Sequence, residues 1–522
     1  MTLRQWAVVI TVSIGAMLEV IDVSICNVAL PHIQANLGAT LAEVGWVVTG
    51  YAMASVVMIP LSEWLSERFG QRSYFLFCLA GFTGASVLCG LAPNLPALVL
   101  ARIAQGLLGG GLLPKAQAIL FQAVPRQLQG MAQGLFGVVV LAGPAIGPTL
   151  GGFLTDGPGW RWIFFINLPF GIVTLLMALT YLPPDDHHTR GDGQGRPHRR
   201  VDWTGIALLA AGLGSLQVVL EQGHQYDWLA NGGIRLLALL AAAALPAFVW
   251  WELRCRAPAV DLRVLRHRSL AAGSLFSLVL GMGLYGTVFV VPIFAQTVLQ
   301  YTATQTGLLM LPGALASAVT MALLGRTASR FDPRHLIVLG AVAMVVTMLQ
   351  LATLGPDTGE HSLFWPLIFR GVTTVMMFLP LSLAALGPLP KTDVGAGSGF
   401  FNLMRQLGGT FGIAVLTVVL DHQRAVHRSQ LVQHLASTNP LLQERLLQLN
   451  AWLQGAGEVP GKAAANPDQA LQLLSLQVDR QAALLAYGDV FRLVALVFLL
   501  AIPLVLLLGR PAPQLQPSSR AP

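Results

Sequence analysis

Long apolar segments, separated by short polar loops, make up most of this sequence. An α-helix needs about 20 apolar residues to cross a bilayer, and the pattern predicts fourteen transmembrane helices of that kind. The predicted spans are residues 6–29, 44–65, 73–92, 96–121, 130–155, 160–182, 203–222, 234–253, 269–297, 306–327, 335–354, 363–387, 395–420 and 488–508.

The composition supports a membrane protein. Of 522 residues, 54% are hydrophobic and 11% are charged, and the mean hydropathy is +0.65. Soluble domains carry roughly 25% charged residues, so this apolar excess excludes a soluble enzyme and a disordered chain. The 54 glycines and 31 prolines exclude a coiled coil, although packed membrane helices tolerate both residues. The sequence therefore predicts an all-α integral membrane protein.

The basic residues indicate an orientation in the membrane. The formal net charge is +7, but these residues are dispersed in short loops and form no cluster that could bind nucleic acid. Most lie on the side shared with the N-terminus, and the short loops opposite contain only Arg161 and Arg235. Because cytoplasmic loops carry the excess of Lys and Arg, we predict a multi-pass protein of the bacterial inner membrane with both termini cytoplasmic.

The sequence lacks common signatures of catalysis and cofactor binding. It contains no GxSxG, HExxH or GxxxxGK[ST] string, and its four cysteines form no CxxC pair. A GxGxxG string at Gly281, Gly283 and Gly286 lies inside an apolar span, without the strand that precedes a dinucleotide site. We therefore expect no catalytic residues, no metal ion, no cofactor and no enzymatic activity.

Two sets of glycines with one spacing indicate an internal repeat, which is common in transporters. They are Gly134, Gly143 and Gly147 in the fifth predicted span, and Gly399, Gly408 and Gly412 in the thirteenth. Arg102 in the fourth span and Arg370 in the twelfth form a further candidate pair. The repeat predicts that the first six and last six helices form two related bundles.

This repeat divides the chain into units. Residues 1–182 are predicted to form an N-terminal six-helix bundle and residues 269–508 a C-terminal one. A cytoplasmic linker, 183–202, precedes two inserted transmembrane helices in 203–253. Residues 421–487 form a long periplasmic loop between helices 13 and 14.

Leucines at helical spacing in this long loop predict an amphipathic helical hairpin, broken near residues 455–467. Two interpretations are open: the hairpin covers its own bundle, or it is a docking surface for a partner protein.

Ionisable residues at membrane depth are the candidates for function, because a charged side chain there costs about 2.5 to 3.5 kcal/mol. Glu19 and Asp22 share one face of the first helix, and two buried carboxylates can take up a proton at ordinary pH. Arg102 keeps its charge and needs a carboxylate or carbonyl partner. The alternatives are that the acids face a water-filled vestibule or have hydrogen bonds that satisfy them, and that Arg102 only ties helices together.

Several segments, taken in order, resemble the motifs of the major facilitator superfamily and of its fourteen-helix drug:proton antiporters. The run GLFGVVVLAGPAIGPTLGG resembles the antiporter motif, and EWLSERFGQRS partly matches the loop between helices two and three. The other matching segments are IDVSICNVALP, LARIAQGLLGG, WRWIFFINLPFG and GSGFFNLMRQLGGTFGIA. The long loop resembles that of multidrug exporters of the Emr type, which work with a periplasmic adaptor and an outer-membrane channel.

The resemblance implies roles for particular residues. Asp22 would be the proton-coupling acid and Arg102 its electrostatic partner, whereas a role for Glu19 rests on the physical argument alone. A glycine-proline face would seal the bundle against leak; its residues are Gly143, Pro144, Gly147, Pro148, Gly151 and Gly152.

The loop after the second helix would be a cytoplasmic gate, formed by Glu67, Arg68, Gly70 and Arg72. This loop departs from the family pattern at three positions: Glu63 stands where the family has glycine, Glu67 where it has aspartate, and Gln71 where it has a basic residue. Candidates for the lining of a substrate cavity are Asn27, Gln105, Asn402, Arg405 and Gln406.

These observations predict a proton-coupled antiporter that exports amphipathic drugs or toxic organic compounds by alternating access. One alternative is a dedicated exporter of a single endogenous metabolite or siderophore. Another, of a different class, is a membrane sensor or scaffold that transports nothing, since a fold does not fix a function.

Overall fold

The computed structural model describes residues 2–185, 201–327, 331–355, 360–433, 435, 440–455 and 467–508. Helices fill most of these ranges, which contain no strand. The α-helices are α1 (Leu3–Leu37), α2 (Leu41–Phe69), α3 (Gln71–Leu91), α4 (Leu95–Gly109), α5 (Leu112–Ala123), α6 (Gln129–Asp156), α7 (Trp162–Phe165), α8 (Asn167–Tyr181), α9 (Trp203–Gln222), α10 (Gly232–Arg254), α11 (Arg268–Thr297), α12 (Ala303–Thr327), α13 (Pro333–Leu351), α14 (Glu360–Leu386), α15 (Val394–Gln433), α16 (Pro440–Gly455) and α17 (Pro467–Ala501).

Polar residues fix the starts of several helices. Thr2 and Gln5 form a capping box at α1, and Thr40 and Glu43 form another at α2. Asn94 caps α4. Each cap satisfies N–H groups that have no partner within the helix, so the apolar runs and their polar borders together locate these helices.

The membrane-spanning pattern agrees with the all-α prediction. Thirteen candidate spans in the described residues are long and apolar enough to cross a membrane. Helix α6 is not counted among them because several of its side chains lie outside the described residues, but its 28 residues fit the fifth predicted span. The fourteen predicted spans therefore each correspond to a helix or a helix pair.

The fourth predicted span is divided in the structure. Helix α4 ends at Gly109 and α5 begins at Leu112. The break lies where glycines let α2 approach closely: a Cβ on Gly110 would lie 2.7 Å from the Cα of Ser55. As a result, the first turn of α5 lies at membrane depth, where its backbone N–H groups have no partner within the helix.

The segment 421–487, predicted to be a separate helical hairpin, is partly formed by extensions of the membrane helices. Helix α15 continues to Gln433 and α17 already begins at Pro467, so both spans extend into the segment 421–487. At 1.5 Å per residue, the 40 residues of α15 measure about 60 Å, which exceeds a hydrocarbon core of about 30 Å. The apolar pattern stops at the membrane surface, but backbone hydrogen bonding continues beyond it.

An ion pair and a histidine–carboxylate contact join the extensions of α15 and α17. The Nε of Arg428 lies 2.6 Å from Oδ1 of Asp479, and Nε2 of His427 lies 2.7 Å from Oδ2 of Asp489. Helix α16 packs against α17. The predicted hairpin break falls largely on residues 456–466, which lie outside the described residues.

The first set of repeated glycines places α6 against two helices. A Cβ on Gly143 would lie 2.9 Å from Cγ1 of Val20 in α1. Towards its other end, a Cβ on Gly134 would lie 3.0 Å from the Cα of Gly325 in α12. Helix α6 thus packs on α1 of its own half and on α12 of the other half.

The second set makes the equivalent contacts from α15. A Cβ on Gly408 would lie 2.8 Å from the Cα of Leu278 in α11, and one on Gly399 would lie 3.4 Å from the carbonyl oxygen of Ile59 in α2. Helices α11 and α12 occupy the positions of α1 and α2 in the repeat. These contacts support the repeat, while the bounds of the two bundles stay a prediction.

The close packing of α1 on α6 predicts that Gly147→Val lowers the unfolding temperature and the yield of folded protein. A Cβ at Gly147 would lie 2.5 Å from the Cβ of Ser24, and overpacking costs about 1 to 3 kcal/mol. Gly152→Val is the matched control, because a Cβ at Gly152 has no atom within 4 Å. Equal thermal unfolding curves for the two purified variants would contradict this packing.

Candidate functional site

Asp22 is the centre of a buried polar network in the N-terminal half. Its side chain is enclosed by the bundle, and its Oδ2 lies 2.5 Å from Nη1 of Arg102 on α4. Its Oδ1 accepts hydrogen bonds from Nε2 of Gln105 at 3.0 Å and from Nδ2 of Asn167 at 2.7 Å. The structure thus brings together Asp22, Arg102 and Gln105, and adds Asn167.

Arg102 has several partners besides the acid. Its Nε donates to the carbonyl oxygen of Val47 at 3.0 Å, and its guanidinium lies 4.3 Å from the ring centroid of Tyr51. The residue is 0% exposed. Both sequence interpretations therefore describe its geometry, since Arg102 pairs with an acid and also ties α4 to a backbone carbonyl of α2.

The equivalent position in the second half carries no acid. Asp22 corresponds to Thr287 in the repeat, and Arg370 donates through Nη1 to Oγ1 of Thr287 at 3.2 Å. Arg370 has no carboxylate partner among the described residues. The arginine is thus repeated, but the carboxylate that can bind a proton is not.

Glu19 lies one turn before Asp22 and has different partners. The backbone N–H of Leu113, in the first turn of α5, donates to its Oε2 at 3.0 Å, and Oγ of Ser55 lies 3.5 Å from its Oε1. The helix break at Gly110 and Gly111 supplies this N–H, and a helix N-terminus stabilises a negative charge. Glu19 is therefore hydrogen-bonded within the bundle and does not share the partners of Asp22.

The same turn of α5 forms a second buried ion pair. Nζ of Lys115 lies 2.7 Å from Oε2 of Glu63, with the Lys115 side chain 2% exposed and the Glu63 side chain 16% exposed. In the sequence, Glu63 is recognisable only as a departure from the family pattern, without a partner. Lys115 provides the reason that this acid is tolerated inside the bundle.

Helix α5 also contacts α15 of the other half. Oγ of Ser398 donates to the carbonyl oxygen of Pro114 at 2.9 Å, and Nδ2 of Asn402 donates to Oε1 of Gln117 at 2.6 Å. The first two turns of α5 are thus bonded to Glu19 and Glu63 on one side and to α15 on the other. A movement of α5 would alter both sets of contacts.

The predicted cavity residues do not form one cluster. Arg405 is buried, donates through Nη2 to Oδ1 of Asn402 at 2.8 Å, and lies over the ring of Phe378. Gln406 is half-buried on the same helix, Asn27 is exposed on α1, and Gln105 belongs to the Asp22 network. Their role in lining a substrate cavity stays a prediction.

An acid outside the predicted gate organises the loop between α2 and α3. Asp185 accepts hydrogen bonds from the Arg72 N–H at 2.8 Å and from Oγ of Ser73 at 2.7 Å. Partial burial disfavours its charge, but these hydrogen bonds outweigh that effect and lower the pKa of Asp185. No sequence pattern predicts this contact, because Asp185 lies more than a hundred residues from the loop and in a polar linker.

The other gate residues occupy different positions. Gly70 has φ +94, and a Cβ there would lie 2.5 Å from Cγ of Asp185, so glycine is required both by the backbone and by the acid. Arg68 lies over the ring of Trp64, and Glu67 lies in the last turn of α2. Their gating role stays a prediction.

The predicted seal is described only in part. Gly143, Gly147 and Gly151 of α6 face α1, whereas Gly152 has no neighbour within 4 Å of a built Cβ. The side chains of Pro144 and Pro148 lie outside the described residues. Close packing of the glycine face is therefore present, but its role in preventing leak stays a prediction.

Membrane-length helices in two related halves, with a charge pair enclosed in the first half, define a multi-pass membrane protein of the transporter type. The sequence pattern of the Major Facilitator Superfamily matches residues 12–413. The chain belongs to the Major Facilitator Superfamily.

Relatives in several bacteria match nearly the whole chain. "Multidrug export protein EmrB" of Escherichia coli (strain K12) is 32% identical, over 95% of this chain and 94% of that protein. "Fatty acid resistance protein FarB" of Neisseria gonorrhoeae is 31% identical, over 96% of each chain. The human organic anion transporter MFSD10 (TETRAN) shares the fold, with a TM-score of 0.58 and 15% identity over 95% of this chain and 99% of that chain. These matches confirm the resemblance to Emr-type exporters.

The pair of Lys115 and Glu63 predicts a large loss of stability for Lys115→Met. A buried carboxylate left without its partner costs about 3 to 5 kcal/mol, whereas replacing both members of a pair is often neutral. The double variant Glu63→Gln with Lys115→Met should therefore recover most of the unfolding temperature. Lys391→Met, at an exposed position, is the control, and a single variant as stable as this control would refute the buried pair.

Proposed function

We propose that this protein exports amphipathic organic compounds across the bacterial inner membrane in exchange for protons. The observation that carries the proposal is the enclosed pair of Asp22 and Arg102. The family and the printed names of two relatives, which denote multidrug export and fatty acid resistance, favour a broad amphipathic substrate class. The protein then acts as a carrier and leaves its substrate chemically unchanged.

Proton binding acts on Asp22 through its charge. Arg102 keeps its charge under all physiological conditions, so a proton on Asp22 removes one half of the ion pair and leaves the guanidinium with neutral partners. The hydrogen bonds that Gln105 and Asn167 donate to Oδ1 also weaken, because a charged acceptor binds donors more strongly. Protonation thus loosens the contacts of α1 with α4 and α8.

This loosening can bias alternating access. A ligand shifts an equilibrium between two conformations only by its different affinity for them. A proton on Asp22 weakens contacts that hold the enclosed arrangement, so it would bind more tightly to a conformation that lacks these contacts. Proton and substrate then drive opposite conformations, which produces exchange. With both termini cytoplasmic, inward movement of one charge supplies about 2.3 kcal/mol per 100 mV.

A periplasmic adaptor and an outer-membrane channel are proposed as partners. Helix α16 and the extension of α17 carry exposed leucines: Leu447 on α16 is 69% exposed, and Leu471 and Leu476 on α17 are 52% and 64% exposed. Apolar side chains on a helical projection can pack against helices of a partner. This geometry favours docking over a cap that covers its own bundle.

Asp22→Asn should abolish gradient-driven export while the protein still inserts, because the amide cannot exchange a proton. The measurement is efflux of a cationic dye from proteoliposomes under an imposed pH gradient, with internal pH followed at the same time. Asp156→Asn is the control, since that side chain is 71% exposed. Normal export by Asp22→Asn would refute the mechanism.

The same assay separates the alternatives. A dedicated exporter would move one metabolite and none of a broad set of dyes, and a sensor or scaffold would move neither dye nor protons. Arg102→Ala should lose export as Asp22→Asn does, because Asp22 then has no positively charged partner whose contact a proton could release.

Replacing residues 440–455 by a flexible linker should leave dye efflux from proteoliposomes unchanged. Copurification of a periplasmic adaptor from cells and resistance to exported compounds should both decrease, because α16 and its exposed leucines are lost. The single variant Leu447→Asp should weaken copurification in the same direction. Unchanged resistance and copurification in the linker variant would count against docking at α16.

A further inference from the structure

The inserted helix α9 carries an acid that the proposed exchange reaction does not use. Glu221 is the penultimate residue of α9, within a candidate membrane span, and its Oε2 atom is enclosed by the protein. Although this position is at the end of the helix, an enclosed carboxylate still needs polar partners to offset the loss of contact with water. The partners of Glu221 show which function it can have.

Glu221 lies in a chain of polar contacts between the two halves. Gln217 donates through Nε2 to Oε1 of Glu221 at 2.7 Å, and the same Nε2 lies 3.0 Å from Oγ1 of Thr410 on α15. On the other side, the Thr49 side chain of α2 interacts with the Glu221 carboxylate and accepts a hydrogen bond from Nε2 of Gln222 at 2.8 Å. Helix α9 therefore links α2 of the first half to α15 of the second.

The charged groups of the neighbouring elements lie towards the helix ends. His224, just beyond α9, pairs with Asp421 at the far end of the membrane-spanning part of α15. The acids on α2 are Glu43 in its first turn and Glu63 and Glu67 in its last two turns. Asp202, the N-cap of α9, and Glu252 on α10 lie at the opposite end of the inserted pair. Among the described residues, the side chains at the Glu221 carboxylate are thus a neutral amide, which donates to Oε1, and a hydroxyl, and Oε2 accepts no hydrogen bond. The carboxylate of Asp22 instead has an arginine.

We propose that Glu221 is a second proton-binding residue of the exchange reaction, located where the inserted helix joins the two halves. The proposal rests on the proposed function. An ionised carboxylate only accepts hydrogen bonds, whereas a protonated one also donates. Binding a proton therefore changes which of the contacts to Gln217 and Thr49 can form, and with them the link between α2 and α15.

The link matters because α2 and α15 belong to different halves that must move relative to each other. On the side of the chain termini, α15 contacts α2 directly through Gly399 and Ile59. Towards the opposite side, α9 contacts both helices. A proton at Glu221 would then favour one arrangement of the contacts that α9 makes with α2 and α15, independently of the Asp22 pair.

The test counts protons per exported molecule. Native protein and Glu221→Gln are compared in proteoliposomes, with efflux of a monovalent cationic dye and uptake of protons measured together. Dye efflux should continue in the variant, with the ratio lowered by about one proton, because one carboxylate binds one proton. Glu252→Gln is the matched control, an acid of the other inserted helix whose Oε1 accepts the Val260 N–H at 3.3 Å, and its ratio should equal that of native protein. An unchanged ratio in Glu221→Gln would overturn the proposal.

A second measurement decides the case in which Glu221→Gln does not insert. Infrared difference spectra between high and low pH should show a protonated carboxyl band in native protein that changes frequency in Glu221→Asp. An identical band in both proteins would also overturn the proposal. This measurement distinguishes failure of the two hypotheses. If native protein exchanges neither dye nor protons, the proposed export function is refuted. The infrared band still reports whether Glu221 binds a proton.

Discussion

The enclosed ion pair of Asp22 and Arg102 is the constraint on which the rest of the N-terminal half depends. Two charges removed from water lose several kcal/mol of solvation each, and their mutual attraction offsets this loss only when the remaining donors and acceptors are satisfied. Four other groups supply most of these partners: the carbonyl of Val47, the amides of Gln105 and Asn167, and the ring of Tyr51. Nη2 of Arg102 has no hydrogen-bond partner among the described residues. Because these residues come from α2, α4 and α8, the pair fixes the position of α1 relative to each.

The break between α4 and α5 extends this logic to a second acid. A continuous helix would have used the N–H of Leu113 internally, and Glu19 would have no backbone donor there. The glycines at 110 and 111 therefore serve two purposes, since Gly110 allows α2 to approach, Gly111 allows Tyr74 of α3 to approach, and the break frees a helix start inside the membrane. The same turn carries Lys115, which is why Glu63 can occupy a position where the family has glycine.

Apolar periodicity and buried charge are local signals, so the sequence predicts the class of fold and the helix order, and it marks Asp22 and Arg102 as candidates. Their pairing is an expectation from the resemblance to the antiporters. Contacts between distant segments carry no such signal. Asp185 lies in a polar linker, and only the structure shows that it accepts a hydrogen bond from the loop after α2. Asn167 is one polar residue in an apolar helix, and only the structure shows that it donates to Asp22. The length of α15 was underestimated for a related reason, since hydropathy reports the membrane boundary and not the end of backbone hydrogen bonding.

The difference between the two halves suggests how a proton can act in one direction. The repeat preserves the packing of α6 and α15 on their neighbours, and it preserves the arginine, but it replaces Asp22 by Thr287. Only the first half of this related pair of sites can therefore change its charge. Helix α5 is bonded both to Glu19, near that site, and to α15 of the other half. A change of charge on α1 can therefore alter the contact between the halves through the first turns of α5. A symmetric scaffold with chargeable acids at both sites would respond to protons in both halves at once, and would lack a single element whose protonation favours one conformation over the other.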